Sequence, residues 1–160
     1  MDKLRLYTWR PHTTIILIIG LVAVLVWLTV SFMVSSFKPT TEVRLGSGVY
    51  ALALADSEAE LVKGLSGVDT LNPNQGLLMQ FDTDDKHGIW MKDMLIPLDI
   101  VWLNSNKKVI YIVKDAQPEN PVSTVYTPKN DARYVIELPA GSVKKAGIKN
   151  GDIAEFHIDV

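Results

Sequence analysis

Five residues have the types and surroundings from which a site could be built: Trp90, Met91, Lys92, Asp99 and Glu137. Asp99 stands between Leu98 and Ile100, and Glu137 between Ile136 and Leu138. A carboxylate in such apolar company must find hydrogen-bond donors or shift its pKa. Lys92 is a natural charge partner for either acid. Trp90 offers an aromatic plane of the kind that floors a sugar or amine site. Two chemistries fit this set. In the first, the five residues line a recognition pocket. In the second, Asp99 and Glu137 act as an acid–base pair on a glycosidic bond, which needs the two carboxyl groups about 5–10 Å apart in one open cleft. Against both stands a structural role, in which each acid bonds a loop backbone and Trp90 and Trp102 fill the core.

Other chemistries find less support. His87, Trp90, Met91 and Met94 lie close together, and thioethers suit Cu(I). On a strand, however, alternation puts His87 and Met91 on one face and Trp90 and Met94 on the other. No metal or cofactor is therefore expected. His12 lies far upstream and His157 is solitary in sequence. The chain has no cysteine, which excludes thiol catalysis, disulfides and Cys-ligated zinc. It has no Gly-rich phosphate loop and no motif around a nucleophilic serine. Gly151-Asp152 reads as a tight turn, and Asp82-Thr83-Asp84-Asp85 as a solvated loop.

The elements that must position the five residues are mostly short apolar runs between turn signals, the pattern of a β domain. Strands are expected over Val49 to Ala55, Gly76 to Phe81, Gly88 to Met91, Asp99 to Leu103, Val109 to Lys114, Tyr134 to Leu138 and Ile153 to Ile158. Ser57-Glu58-Ala59-Glu60 is a capping box and opens a short helix ending near Gly64. Asn104 to Lys107 is a hairpin turn, and Glu119 to Pro128 is a proline-rich loop. Gly141 to Ala146 makes one helical turn. Such strands bury best in a β-sandwich or jelly-roll-like fold, or in a partly closed barrel.

Ahead of this domain, Pro11 to Phe37 contains no Lys, Arg, Asp or Glu. Its centre, residues 13–34, is almost wholly apolar and long enough to cross a bilayer as one helix. Lys3, Arg5 and Arg10 precede it and Lys38 follows. The positive-inside bias puts residues 1–12 in the cytoplasm and the domain outside, at a single-pass cell-membrane protein. A cleaved signal peptide fits less well, because the apolar run is long and no small-x-small site follows it. Residues 35–44 read as a linker and 45–160 as the extracytoplasmic domain. The whole chain carries a net charge of −2 and its first 12 residues +2, so the remainder is acidic. An acidic exterior argues against a nucleic-acid partner. The expected partners are the lipid bilayer, through 13–34, and an envelope ligand or membrane protein.

Several marks fall in order along the exterior part: Lys63-Gly64-Leu65, Gly76 to Phe81, Ile89-Trp90-Met91-Lys92-Asp93, Ile96-Pro97-Leu98-Asp99-Ile100, Tyr134 to Gly141, and Gly147 to Asp152. With these the chain resembles the bacterial and archaeal family called domain of unknown function 192, over roughly residues 45 to 159. It departs from the family at Gly64-Leu65-Ser66, where Gly-Leu-Met is usual, and at Gly76-Leu77-Leu78-Met79, where Gly-Met-Leu-Phe is usual. The resemblance implies a compact β-rich fold and no established activity. Together these features point to a membrane-anchored, extracytoplasmic binding module for an envelope glycan, peptide or protein, with no catalytic signature. A hydrolase using Asp99 and Glu137 is the alternative.

Overall fold

The computed structural model describes residues 18–24, 40–119, 121 and 124–158. The chain divides into two units, Met1–Lys38 and Pro39–Val160. In the first, residues 18–24 are helical (α1). The rest of the expected span 13–34 lies outside the described residues, and among those described no helix is long and apolar enough to cross a membrane.

The second unit is mostly β. Its strands are β1 (Thr40–Leu45), β2 (Gly48–Ala55), β3 (Gln75–Asp85), β4 (Ile89–Trp90), β5 (Leu98–Leu103), β6 (Val109–Ala116), β7 (Val125–Tyr126) and β8 (Ala132–Pro139). Among the described residues it also has two short helices, α2 (Glu58–Lys63) and α3 (Ser142–Ala146). Six strands form one sheet in the order β1-β2-β3-β8-β5-β6, and β4 and β7 pair separately. All neighbours are antiparallel except β2 and β3. That parallel pair needs a crossover, which α2 and the loop after it provide. The sheet is not closed, since β1 and β6 are its two edges. Instead of two sheets of similar size, one sheet buries apolar side chains on both faces.

The sequence of β5 shows why. Every residue from Leu98 to Leu103 is buried. Leu98, Ile100 and Trp102 pack with Leu77, Met79 and Val135 on one face. Val101 and Leu103 pack with Leu52, Leu78, Ile136 and Leu138 on the other. Asp99 apart, the strand is apolar throughout, as a strand covered on both sides requires. The first face is covered by β4, β7, Leu65, Val68 and Leu71 from the segment after α2, and Met91 and Met94 after β4. The second is covered by α3 and the C-terminal segment, with Val143, Ile148 and Phe156.

Three elements differ from the expectation. Residues 40–44, read as the end of a linker, belong to β1, because Thr40 to Leu45 alternate exposed and buried beside β2. The proline-rich loop contains β7, which pairs with β4 through Ile89 and Tyr126. The segment from Ile153 to Ile158 is not a strand. It touches both sheet edges through single bridges, Lys108 with Ile153 and Arg44 with Glu155, and can continue a ladder with neither. The capping box is present: Glu60 Oε2 accepts the Ser57 backbone N–H at 3.3 Å.

Gly76 is a close-approach position. A Cβ there would overlap the Glu137 carbonyl oxygen and stand 3.1 Å from side-chain carbons of Leu52 and Leu138. Backbone of a central strand cannot yield without breaking its ladder. Gly76→Ala is expected to lose about 2–3 kcal/mol of stability, seen as a lower denaturant midpoint at unchanged slope.

Candidate functional site

A pocket of about 520 Å³ opens on the face that carries Trp102. Its walls come from α2 and the loop after it, from Met79 and Phe81 of β3, from His87 and Gly88, and from Ile89 and Trp90 of β4. Glu137 of β8 lies among them.

Strand alternation puts Glu137 there. On β8, Val135 and Glu137 share one face and Ile136 and Leu138 the other. The residues across from Glu137 are Leu77 on β3 and Ile100 on β5, both apolar. The side chain is 4% exposed, and its Oε2 has no hydrogen-bond partner. Burial alone raises its carboxyl from the ordinary 4.5 to about 7. The chain after α2 passes directly over it: a Cβ on Gly64 would stand 3.6 Å from Oε2. Among the described residues the other buried unpaired side-chain atom is Gln80 Oε1, on a neutral amide.

The mouth and walls are held by contacts that fix the loops. Trp102 is fully buried and donates its Nε1–H to the His87 carbonyl at 2.8 Å. The His87 ring stacks on Phe81 with centroids 3.7 Å apart, and its Nε2 meets the Thr83 carbonyl at 2.9 Å. Ser66 donates its hydroxyl to the Lys92 carbonyl at 2.9 Å, and the Gly67 N–H bonds the Asp93 carbonyl. Ser66 therefore ties two loops beside the pocket.

The five residues expected to form one site are divided. Trp90 and Glu137 come together at the pocket. Trp90 is 45% exposed, so it is not a core residue, while Trp102 is. Met91 is fully buried in the core behind β4. Lys92 is exposed, its backbone forms a single parallel β-bridge with that of Glu119, and it does not line the pocket. Asp99 lies on the opposite face of the sheet. It pairs across β5 and β8 with Leu138, whereas Glu137 pairs with Ile100. Its Oδ1 accepts the Asp115 N–H at 2.9 Å and its Oδ2 the Val143 N–H at 2.8 Å. It is a structural clasp between a sheet bulge and the start of α3.

An acid–base pair of Asp99 and Glu137 is thus ruled out by parity: 99 and 137 are not directly paired, and their offset by one residue turns them to opposite faces. No group of three or more His, Asp or Glu side chains suited to a metal occurs among the described residues. Met79, Phe81, Leu61 and Met94 are pocket residues that sequence reading missed. Their apolar character is that of any core side chain, so only their position marks them. What the pocket can do chemically follows from its contents. It offers apolar walls, an exposed indole, and one buried carboxyl that lacks a donor.

Comparison with known proteins agrees with this fold. A family model described as Uncharacterized ACR, the domain of unknown function 192, matches residues 41–156. A UPF0127 protein of Thermococcus gammatolerans is 30% identical over 105 residues, 66% of this chain, and the aligned part spans 65% of that relative's length. A crystal structure of a candidate transcription regulator from Sinorhizobium meliloti 1021 superposes with a TM-score of 0.70 at 27% identity, over 75% of this chain and 96% of that one. A protein of unknown function from Novosphingobium aromaticivorans superposes with a TM-score of 0.67 at 29% identity, over 72% of this chain and 83% of the other. Carrying the family's pattern through almost all of its β unit, the chain belongs to the domain of unknown function 192 family.

Proposed function

We propose that the β domain is a non-catalytic binding module whose ligand enters the pocket beside α2 and β4. One observation carries this reading: the Glu137 carboxyl is buried at the pocket with Oε2 unpartnered. A buried polar atom without a partner costs about 1–3 kcal/mol, more when charged, and a ligand donor would remove that cost. Trp90 at the mouth supplies a large contact surface.

The apolar run 13–34 with its preceding bases supports a single-pass anchor, N-terminus in the cytoplasm and domain outside. In that setting the ligand is a component of the cell envelope, a glycan, a peptide or a membrane protein. Protease added to intact spheroplasts is expected to digest the β domain and spare residues 1–12. Protection of the domain would reverse the orientation.

The binding reading is tested by a thermal-shift screen of the full chain against envelope glycans and cell-wall peptides. A ligand at 100 times its Kd adds about 2.7 kcal/mol. Trp90→Ala is expected to abolish the shift while changing the unliganded midpoint little, because a half-exposed side chain contributes little to the core. Shifts that persist in Trp90→Ala would place the ligand elsewhere, and no shift with any compound would count against a small-ligand module.

A further inference from the structure

The chemistry of the pocket narrows the ligand class, on the reading that the pocket is a binding site. Its charged lining consists of the acids Asp56, Glu58, Asp82 and Glu137 against Lys63, with His87 beside them. Glu137 lines the pocket with its Oε2 buried and without a donor, and the strands on either side oppose it with Leu77 and Ile100. At the mouth stands the 45% exposed Trp90. The lining also includes the apolar Met79, Ile89 and Met94.

We infer that the pocket takes an organic cation, a primary ammonium or guanidinium on an apolar body, whose N–H groups donate to the Glu137 carboxylate. Three features converge on this class. A cation supplies the missing donor in charge-assisted form, about twice as strong as a neutral bond. An indole attracts cations more than any other side-chain ring does. The acids Asp56, Glu58 and Asp82 give the entrance a negative field that draws cations and repels anions. An anionic ligand would instead face an unpaired buried acid. A neutral hydroxyl would fill the same geometry without the charge term.

The test uses the full chain in neutral detergent micelles and three probes of the same shape: benzylamine, benzyl alcohol and benzoate. Binding is read from amide shifts of Gly64, Leu65, Ser66, Gly88 and Trp90. At pH 8 benzylamine is expected to bind at least about tenfold more tightly than benzyl alcohol, with benzoate weakest. Between pH 6 and pH 8 its affinity is expected to rise about tenfold, as a carboxyl with a pKa of about 7 goes from roughly one-tenth to nine-tenths ionised. Benzyl alcohol would show no such rise. His87 and the exposed acids Asp56, Glu58 and Asp82 also face the pocket beside Lys63, so Glu137→Gln identifies the titrating group. That variant is expected to lose most of the preference for benzylamine over benzyl alcohol and to flatten the profile. Should it misfold, the wild-type contrast between the two probes across pH decides. Alcohol or benzoate binding at these amides as tightly as the amine would overturn the cation assignment and leave the pocket standing. Absence of shifts at these amides with all three probes would overturn both.

Discussion

Glu137→Gln raises the stability of this protein at pH 8, by on the order of 3 kcal/mol, and leaves it nearly unchanged at pH 4. This is the expected result of chemical denaturation across pH. In the folded protein the carboxyl ionises at about 7 instead of 4.5, because it is buried without a donor. Between those values the unfolded chain has released the proton and the folded chain still holds it. Raising the pH therefore favours unfolding through this interval, and the group's contribution is fully present below 4.5 and lost by the time pH passes about 7. At about 1.4 kcal/mol per pH unit the interval amounts to about 3 kcal/mol. Glutamine has the same shape and cannot ionise, so the slope from this group disappears. A variant less stable than wild type at pH 8 would mean that the carboxylate is well satisfied in the native protein, and the binding proposal would lose its main support. The expected gain marks Glu137 as a residue that the fold carries at a cost, as binding residues often are.

Asp99→Ala has the opposite effect, a loss of about 3–5 kcal/mol, large enough to unfold a marginal domain. Asp99 is 1% exposed and both of its carboxylate oxygens are engaged by backbone N–H groups. One belongs to Asp115, which has a φ of +54° where β6 shifts register against β5. The other belongs to Val143 near the start of α3. Alanine would leave two donors without partners, at about 1–3 kcal/mol each, and a small cavity. Asp99→Asn keeps one acceptor and turns an amide N–H toward the other donor, so an intermediate loss is expected. Urea denaturation of the full chain in micelles measures both. A loss below about 1 kcal/mol for alanine would show that α3 and the bulge hold without the clasp.

The two acids were indistinguishable in sequence. Each sits in a strand between apolar neighbours, and each had a binding and a structural reading. What separates them is pairing parity. Asp99 pairs with Leu138 and Glu137 with Ile100, so they face opposite sides of one sheet. The expectation of a shared cleft failed for that reason. Lys92 failed as a pocket residue because the turn that follows β4 carries it outward, and Met91 because it points into the core.

The local patterns did determine most of the elements. The apolar run of β5, broken only by Asp99, the capping box at Ser57 and the Asn104 to Lys107 turn are short-range features whose physics needs few distant partners. The apolar segment 13–34 and the family membership were likewise legible in residue types alone. Tertiary structure decided the rest. The sheet order that centres β8 and β5, the covering of both sheet faces, and the pairing of β7 inside a proline-rich loop all depend on contacts between residues far apart in the chain. The pocket is of the same kind. An orphaned carboxyl is defined by which groups fail to reach it, and no span of sequence contains that information.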